Sequence, residues 1–250
     1  MPLVETESVV LRTYNLAEAD KIVLLLTREN GVVRGVAKGA KRLKSRFGSG
    51  LELFSVVRVS YFEKEVVELV SIQKADLVAS HFEAASDPLF LGKFSYLSDL
   101  LVSFSPPNDP NEKLYRMVCA CLDAAVEDRG RLDAIGLYFE LWLLRLSGVL
   151  PDWSVCVECG IGLSDNIPAS LQSSYQLICG RCSRSSGSIP VSLVHRQIYS
   201  AAKRLSPGDF AGFARPYPEE VIEVSTIMKR VASLTVGRDI SERKTLAISN

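Results

Sequence analysis

Histidine is scarce: the 250 residues hold two, His81 and His195, each alone near an element boundary. Ser-His-Asp or Cys-His catalysis therefore has little to build on. Both histidines read as surface or internally satisfied residues. Long apolar runs are lacking too, and stretches such as Ile22–Leu26 are far too short to span a bilayer. Met1-Pro2-Leu3-Val4-Glu5 carries no charged-then-apolar leader, which points to a soluble, cytoplasmic protein. Charge of one sign is not in excess, since 29 basic residues balance 29 acidic ones, and this argues against a uniformly basic nucleic-acid binder. No G-x-G-x-x-G occurs. Gly35-Val-Ala-Lys-Gly39-Ala-Lys41-Arg42 falls short of a P-loop, because its glycine spacing is short and no Ser or Thr follows the lysine. A nucleotide-hydrolysing enzyme is thereby disfavoured. Internal repeats and low-complexity tails are also missing, and 47% hydrophobic with 23% charged residues is an ordinary globular mixture.

What is present starts with cysteine. Cys156-x-x-Cys159 and Cys179-x-x-Cys182 form two identical brackets separated by nineteen residues. Two-residue knuckles at such spacing can place four thiolates tetrahedrally around one Zn²⁺, as in a zinc ribbon. Gly160 follows the first knuckle and Gly180 lies inside the second, where tight turns favour residues that tolerate positive φ. Zinc held by four thiolates has no open position, so it would be structural rather than catalytic. The alternatives are a disulfide pair, which the lack of a leader disfavours, and a site that has lost its metal. A redox CxxC fits less well, since neither bracket opens a helix after a strand. Asp152 and Glu158 flank or enter the first knuckle but read as surface charges at a turn. Cys119 and Cys121 lie two apart in an apolar helical stretch, do not share a helix face, and read as small buried hydrophobes.

Residues 5 to about 78 read as strands: Ser8–Thr13, Lys21–Thr27, Gly31–Ala37, Leu53–Phe62 and Val66–Ile72 are rich in β-branched residues and bounded by polar turns. Glu29-Asn30-Gly31 has hairpin chemistry, with Asn-Gly tolerating positive φ at both central positions. A second turn is expected at Glu63-Lys64-Glu65. Five strands without an intervening long helix predict a five-stranded OB-type barrel over 1–80, with a sandwich fragment or SH3-like barrel giving a similar pattern. The period then changes to helical: Pro88–Phe104, Asn111–Val126, Leu132–Leu146, Ser192–Leu205 and Pro218–Val236 carry apolar residues at helix spacing. The expected architecture is α+β and multidomain. It has a barrel over 1–80, a helical domain over 81–150 and 190–250, and a four-cysteine zinc-ribbon insertion over 151–189.

Charge asymmetry is concentrated in residues 31–50, GVVRGVAKGAKRLKSRFGSG. Arg34, Lys38, Lys41, Arg42, Lys44 and Arg46 stand there without one acidic residue, among five glycines. Glycine lets backbone approach a ligand, and long cations on a loop can reach successive phosphates. A solvated basic loop is the plain alternative. Phe47, Phe54, Tyr61 and Phe62 are aromatic candidates for base stacking, with a core or edge role the more ordinary assignment for each. Two other classes compete with DNA binding. A zinc-dependent nucleic-acid hydrolase needs an open metal site or an acidic pair, and none is convincing. A protein-interaction scaffold would instead use the basic loop to grip an acidic partner.

Thr6-Glu-Ser-Val-Val-Leu-Arg12, Glu18-Ala-Asp-Lys-Ile-Val23, Leu26-Thr-Arg-Glu-Asn-Gly31 and above all Val36–Phe47 resemble the bacterial RecO family of DNA repair proteins. Phe139–Gly148, Pro151-Asp152 and Cys156-x-x-Cys159-Gly160 extend the likeness over almost the whole chain. The resemblance implies an N-terminal OB domain, a helical domain and a zinc-binding insertion. It implies a non-enzymatic recombination mediator that binds single- and double-stranded DNA and anneals complementary strands. With RecR, and in some pathways RecF, such a protein helps load RecA onto DNA coated by single-strand-binding protein. The family's DNA contacts carry over to Arg34, Lys38, Lys41, Arg42, Lys44 and Arg46, and its zinc ligands to Cys156, Cys159, Cys179 and Cys182. Arg116, Arg131 and Arg145 are available to meet the acidic, apolar-tipped tail of single-strand-binding protein. Gly237–Leu246 matches the family's closing basic stretch only loosely.

Overall fold

The computed structural model describes residues 2–16, 18–62, 69–183 and 189–240. The chain divides into two packing units, Met1–Gly130 and Arg131–Asn250. No helix among the described residues is long and apolar enough to cross a membrane.

In the first unit, β1 (Leu3–Asn15), β2 (Lys21–Thr27), β3 (Gly31–Ala37), β4 (Val56–Phe62) and β5 (Val70–Ala79) close a barrel in the order β1-β2-β3-β5-β4. Closure depends on β1, which pairs antiparallel with both β2 and β4. A register shift between Val10 and Arg12 bends this long strand so that its two halves serve different neighbours. A parallel pairing of β3 with β5 completes the OB arrangement. The expected turn Glu63-Lys64-Glu65 and the start of the expected strand Val66–Ile72 lie outside the described residues. The described strand runs on to Ala79.

The β2–β3 connection differs in detail from an Asn-Gly two-residue turn. Thr27 pairs with Gly31, so three residues form the loop. Only Gly31 takes positive φ, at +66°, and Asn30 does not. The Thr27 hydroxyl accepts from the Asn30 N–H at 2.9 Å and donates to the Gly31 carbonyl at 2.8 Å, replacing the turn's own hydrogen bonding. A Cβ on Gly31 would sit 2.1 Å from the Asp109 carbonyl oxygen, so this position needs glycine twice over.

Inside the barrel, Val10, Val23, Leu25, Val33, Val57, Val59, Tyr61 and Ile72 pack with Phe47 and Leu51 from the segment after β3. Three helices follow, α1 (Phe82–Ala85), α2 (Pro88–Phe104) and α3 (Glu112–Glu127). Asp87 caps α2 by accepting from Leu89 N–H, with Pro88 in the first turn, and Asn111 caps α3 by accepting from Leu114 N–H. They are tied to the barrel by Arg12, which pairs with Asp99, and by Arg28, which pairs with Glu112 at 2.7 Å.

The second unit centres on α4 (Leu132–Leu146), apolar nearly all round and correspondingly buried. Around it lie α5 (Leu193–Ala202), α6 (Pro207–Ala214) and α7 (Pro218–Val236). The one buried carboxylate on α4, Glu140, accepts from the Ser225 hydroxyl at 2.7 Å and faces Lys229 at 3.9 Å, both on α7. Between α4 and α5 the chain forms a small antiparallel sheet of β6 (Ala169–Leu171), β7 (Leu177–Cys179) and β8 (Ile189–Val191), in the order β7-β6-β8. The α2, α4 and α7 spans match their predicted limits. The short α1, α6 and the strands β6–β8 had no periodic signal long enough to announce them.

Candidate nucleic-acid interface and metal centre

The basic segment runs from β3 to β4 as a chain of tight turns. Backbone N–H groups of Arg42, Ser45, Gly48 and Gly50 each donate to the carbonyl three residues earlier. Its near end is pinned to the β1–β2 connection. Gly39 N–H donates to the Asp20 carboxylate at 2.8 Å, and Lys41 N–H donates to the Ala19 carbonyl at 3.0 Å. Its far end is held by Phe54, whose N–H donates to Val10 C=O and whose C=O accepts from His81 Nδ1 at 2.8 Å. Phe54 sits at φ +62°, strained for a bulky side chain. Its ring offsets this by packing 6.0 Å from Phe90 and 5.7 Å from Phe94, both on α2.

From β3 through the anchored segment the cations face outward. Arg34, Lys38, Lys41, Arg42, Lys44 and Arg46 are all exposed, and among the described residues none of the six forms an ion pair. Arg46 is the most engaged with the protein. Its guanidinium donates to Ile72 C=O at 3.3 Å and lies 5.0 Å from the Phe47 ring centroid. The aromatic candidates divide sharply: Phe47, Phe54 and Tyr61 are buried in the core, and Phe62 alone is exposed. A stacking platform made of all four is therefore ruled out by their burial. Sequence reasoning passed over Asp20 and Ala19, whose only signal is a polar turn before β2.

The second cluster is closed. The Sγ atoms of Cys156, Cys159, Cys179 and Cys182 all lie within 4.8 Å of one another. Cys159 and Cys179 sulfurs are 3.8 Å apart, about the edge of a tetrahedron with metal–sulfur bonds of ~2.3 Å. Each knuckle turns its amides toward the sulfurs. Cys179 N–H donates to Cys156 Sγ at 3.3 Å, and Gly160 N–H closes the first turn onto Cys156 C=O at 2.8 Å. Gly160 takes φ +71° as expected, whereas Gly180 does not take positive φ and instead donates to Pro168 C=O. Burial pushes the Cys156 thiol up, but amides of Cys179, Cys159 and Glu158 outweigh it and bring it down to about 6. Amides, led by that of Cys182, also lower Cys179. Cys182, hydrogen-bonded as a thiol to Cys179 and Cys159, is pushed up to about 12. Thiolate character favoured by backbone donors is what a cation would exploit, so the donor set fits a tetrahedral metal ion.

The remaining candidates are structural. His81 bridges Phe54 C=O and Asp123, and His195 completes a capping box with Ser192 at the start of α5 while meeting Glu223 at 2.6 Å. Asp152 accepts from Ser154, and Glu158 accepts from Gln172 at 3.1 Å. Cys121 is buried and Cys119 partly so. Arg145 lies over the Trp142 ring at 4.7 Å and donates to Lys203 C=O, while Arg116 is exposed on α3.

Comparison with known proteins settles the lineage. Residues 1–81 match the family model for the N-terminal part of recombination protein O, and residues 86–227 match that for its C-terminal part. The chain belongs to the RecO family. DNA repair protein RecO of Koribacter versatilis is 38% identical over 163 residues, 65% of this chain and 66% of that protein. The RecO of Geobacter metallireducens is 32% identical over 190 residues, 76% of each chain. That of Bifidobacterium adolescentis is 37% identical over 172 residues, 66% of this chain and 67% of the relative. Membership of the RecO family supports a role in DNA repair and recombination.

Proposed function

We propose that this protein is a non-catalytic DNA-binding mediator of recombinational repair. The observation that carries the reading is the set of six exposed cations on β3 and the anchored segment after it, none in an ion pair among the described residues. They displace counterions from phosphates, so affinity falls steeply with salt and depends little on base sequence. Two strands repel one another, and a cationic surface that holds both lowers that barrier and raises their local concentration. Complementary strands thereby anneal. The family likeness supports action on DNA coated by single-strand-binding protein, with RecR and in some pathways RecF, to help load RecA. Arg116, Arg131 and Arg145 are the cations available to that protein's acidic tail. Zn²⁺ on Cys156, Cys159, Cys179 and Cys182 holds the α4–α5 connection together and supplies no chemistry. The protein works in the cytoplasm, at the nucleoid.

Fluorescence anisotropy of a labelled single-stranded oligonucleotide over a salt series, followed by addition of its complement, tests this reading. Salt-sensitive binding and faster annealing without nucleotide are expected. Failure to bind at low salt would overturn it and favour an acidic protein partner for the loop.

A further inference from the structure

Arg42 C=O accepts from Ser45 N–H at 2.9 Å, which places Leu43 and Lys44 at the two central positions of a turn. Gly, Asn, Asp, Ser and Pro are the ordinary occupants of such positions. Leucine has no turn chemistry to offer. Leu43 is also the most exposed large apolar side chain among the described residues, at 102% against 75% for Leu89. Scattered exposed leucines are common and need no explanation. This one differs in its setting, because Lys41, Arg42 and Lys44 flank it in the chain and are themselves exposed. The segment is held at both ends, by Asp20 and Ala19 and by Phe54 and His81, so the apex is presented rather than trailing. Phe47 and Leu51, the neighbouring apolar residues of the same segment, are buried in the barrel, which leaves Leu43 as its outward apolar group.

We propose that Leu43 is an apolar contact for unstacked nucleobases, and that it gives the loop a preference for single strands over duplex. This rests on the DNA-binding reading above. Cations that grip consecutive phosphates bring the apex to the level of the bases. In a single strand those base faces are partly bare, and covering them with leucine removes apolar surface from water on both sides. In duplex the faces are stacked, and inserting a side chain must first separate a base step, which costs a few kcal/mol. The same side chain is therefore favourable on one substrate and idle on the other. Its contribution is also independent of counterion release, so it shifts affinity equally at every salt concentration and leaves the slope alone.

The test compares wild type, Leu43→Ala and Leu43→Trp on a single-stranded oligonucleotide and its duplex across a salt series. Truncating a fully exposed side chain leaves the fold intact. Leu43→Ala is expected to weaken single-strand binding about tenfold, the scale of covering one aliphatic side chain. The salt slope should be unchanged and duplex affinity should stay within about twofold. Leu43→Trp should restore or exceed wild-type affinity by stacking, with single-strand-specific quenching of the new tryptophan beyond that of Trp142 and Trp153. Equal loss on both substrates, a change in slope, or no loss from Leu43→Ala would overturn the assignment while leaving cationic binding in place. Absence of salt-sensitive binding by wild type would remove both readings together.

Discussion

The β3–β4 segment and the α4–α5 segment are both long connections, but the first turns its functional side chains out to solvent and the second turns them in on one another. The first buries Phe47, Leu51 and Phe54 and leaves its cations and Leu43 exposed. The second converges four sulfurs within 4.8 Å and anchors itself through Trp153, which stacks on Tyr199 at 4.9 Å, and Arg196, which donates to Leu163 and Ser164 C=O at 3.0 Å. Unpaired outward charge contributes nothing to stability and leaves its interaction energy for a ligand. Converging thiolates repel one another until a cation satisfies them, so their energy goes into folding. One segment should therefore fail in binding with the fold intact, and the other in folding with binding intact.

The largest effect is expected from Cys156→Ser. Structural zinc in small peptides contributes on the order of 10 kcal/mol at neutral pH. Metal analysis should find zinc in the wild type and none in the variant, and hydrogen exchange should show opening between α4 and α5. DNA affinity of the protein that remains folded should stay within about threefold of wild type. A selective loss of DNA binding without loss of structure would break the division of roles. Next comes simultaneous charge reversal of Lys41, Arg42 and Lys44, with at least a ~1000-fold loss of affinity at low salt and a shallower salt slope. The melting temperature should not fall. Retained affinity with an unchanged slope would sink the loop assignment.

Phe54→Ala separates core from contact. It should cost the barrel unit about 3–4 kcal/mol in denaturant titration by removing a buried ring, with little change in DNA affinity below the transition. A base-stacking role for Phe54 would show the reverse. The smallest effect is at Asp20. Asp20→Ala removes the acceptor for Gly39 N–H and should cost about 1 kcal/mol, while Asp20→Asn keeps an acceptor and should recover most of it.

Strands and long helices were legible because each carries a repeating apolar pattern. Lys21–Thr27, Gly31–Ala37, Pro88–Phe104, Leu132–Leu146 and Pro218–Val236 appear in the structure with their predicted limits. Turn chemistry was legible only in part. Asn30-Gly31 marked the hairpin, but the Thr27 side chain changed the loop length. Gly180 lay in a knuckle without needing positive φ. The three-residue strands β6–β8 are too short for any period to show.

The amino-acid sequence by itself determined the parts and their chemistry: five strands, the long helices, four cysteines in paired knuckles and a run of cations without acids. Local spacing suffices for these, because a period or a bracket is a property of neighbours in the chain. Tertiary structure decided which aromatic rings are spent in the core and which one faces solvent. It brought Asp20 and Gly39, nineteen positions apart, into one hydrogen bond. It also set four sulfurs from two distant knuckles around a common centre. Those outcomes depend on which surfaces the barrel and the bundle bury. Burial is a property of the whole packing unit, and no window along the chain contains it.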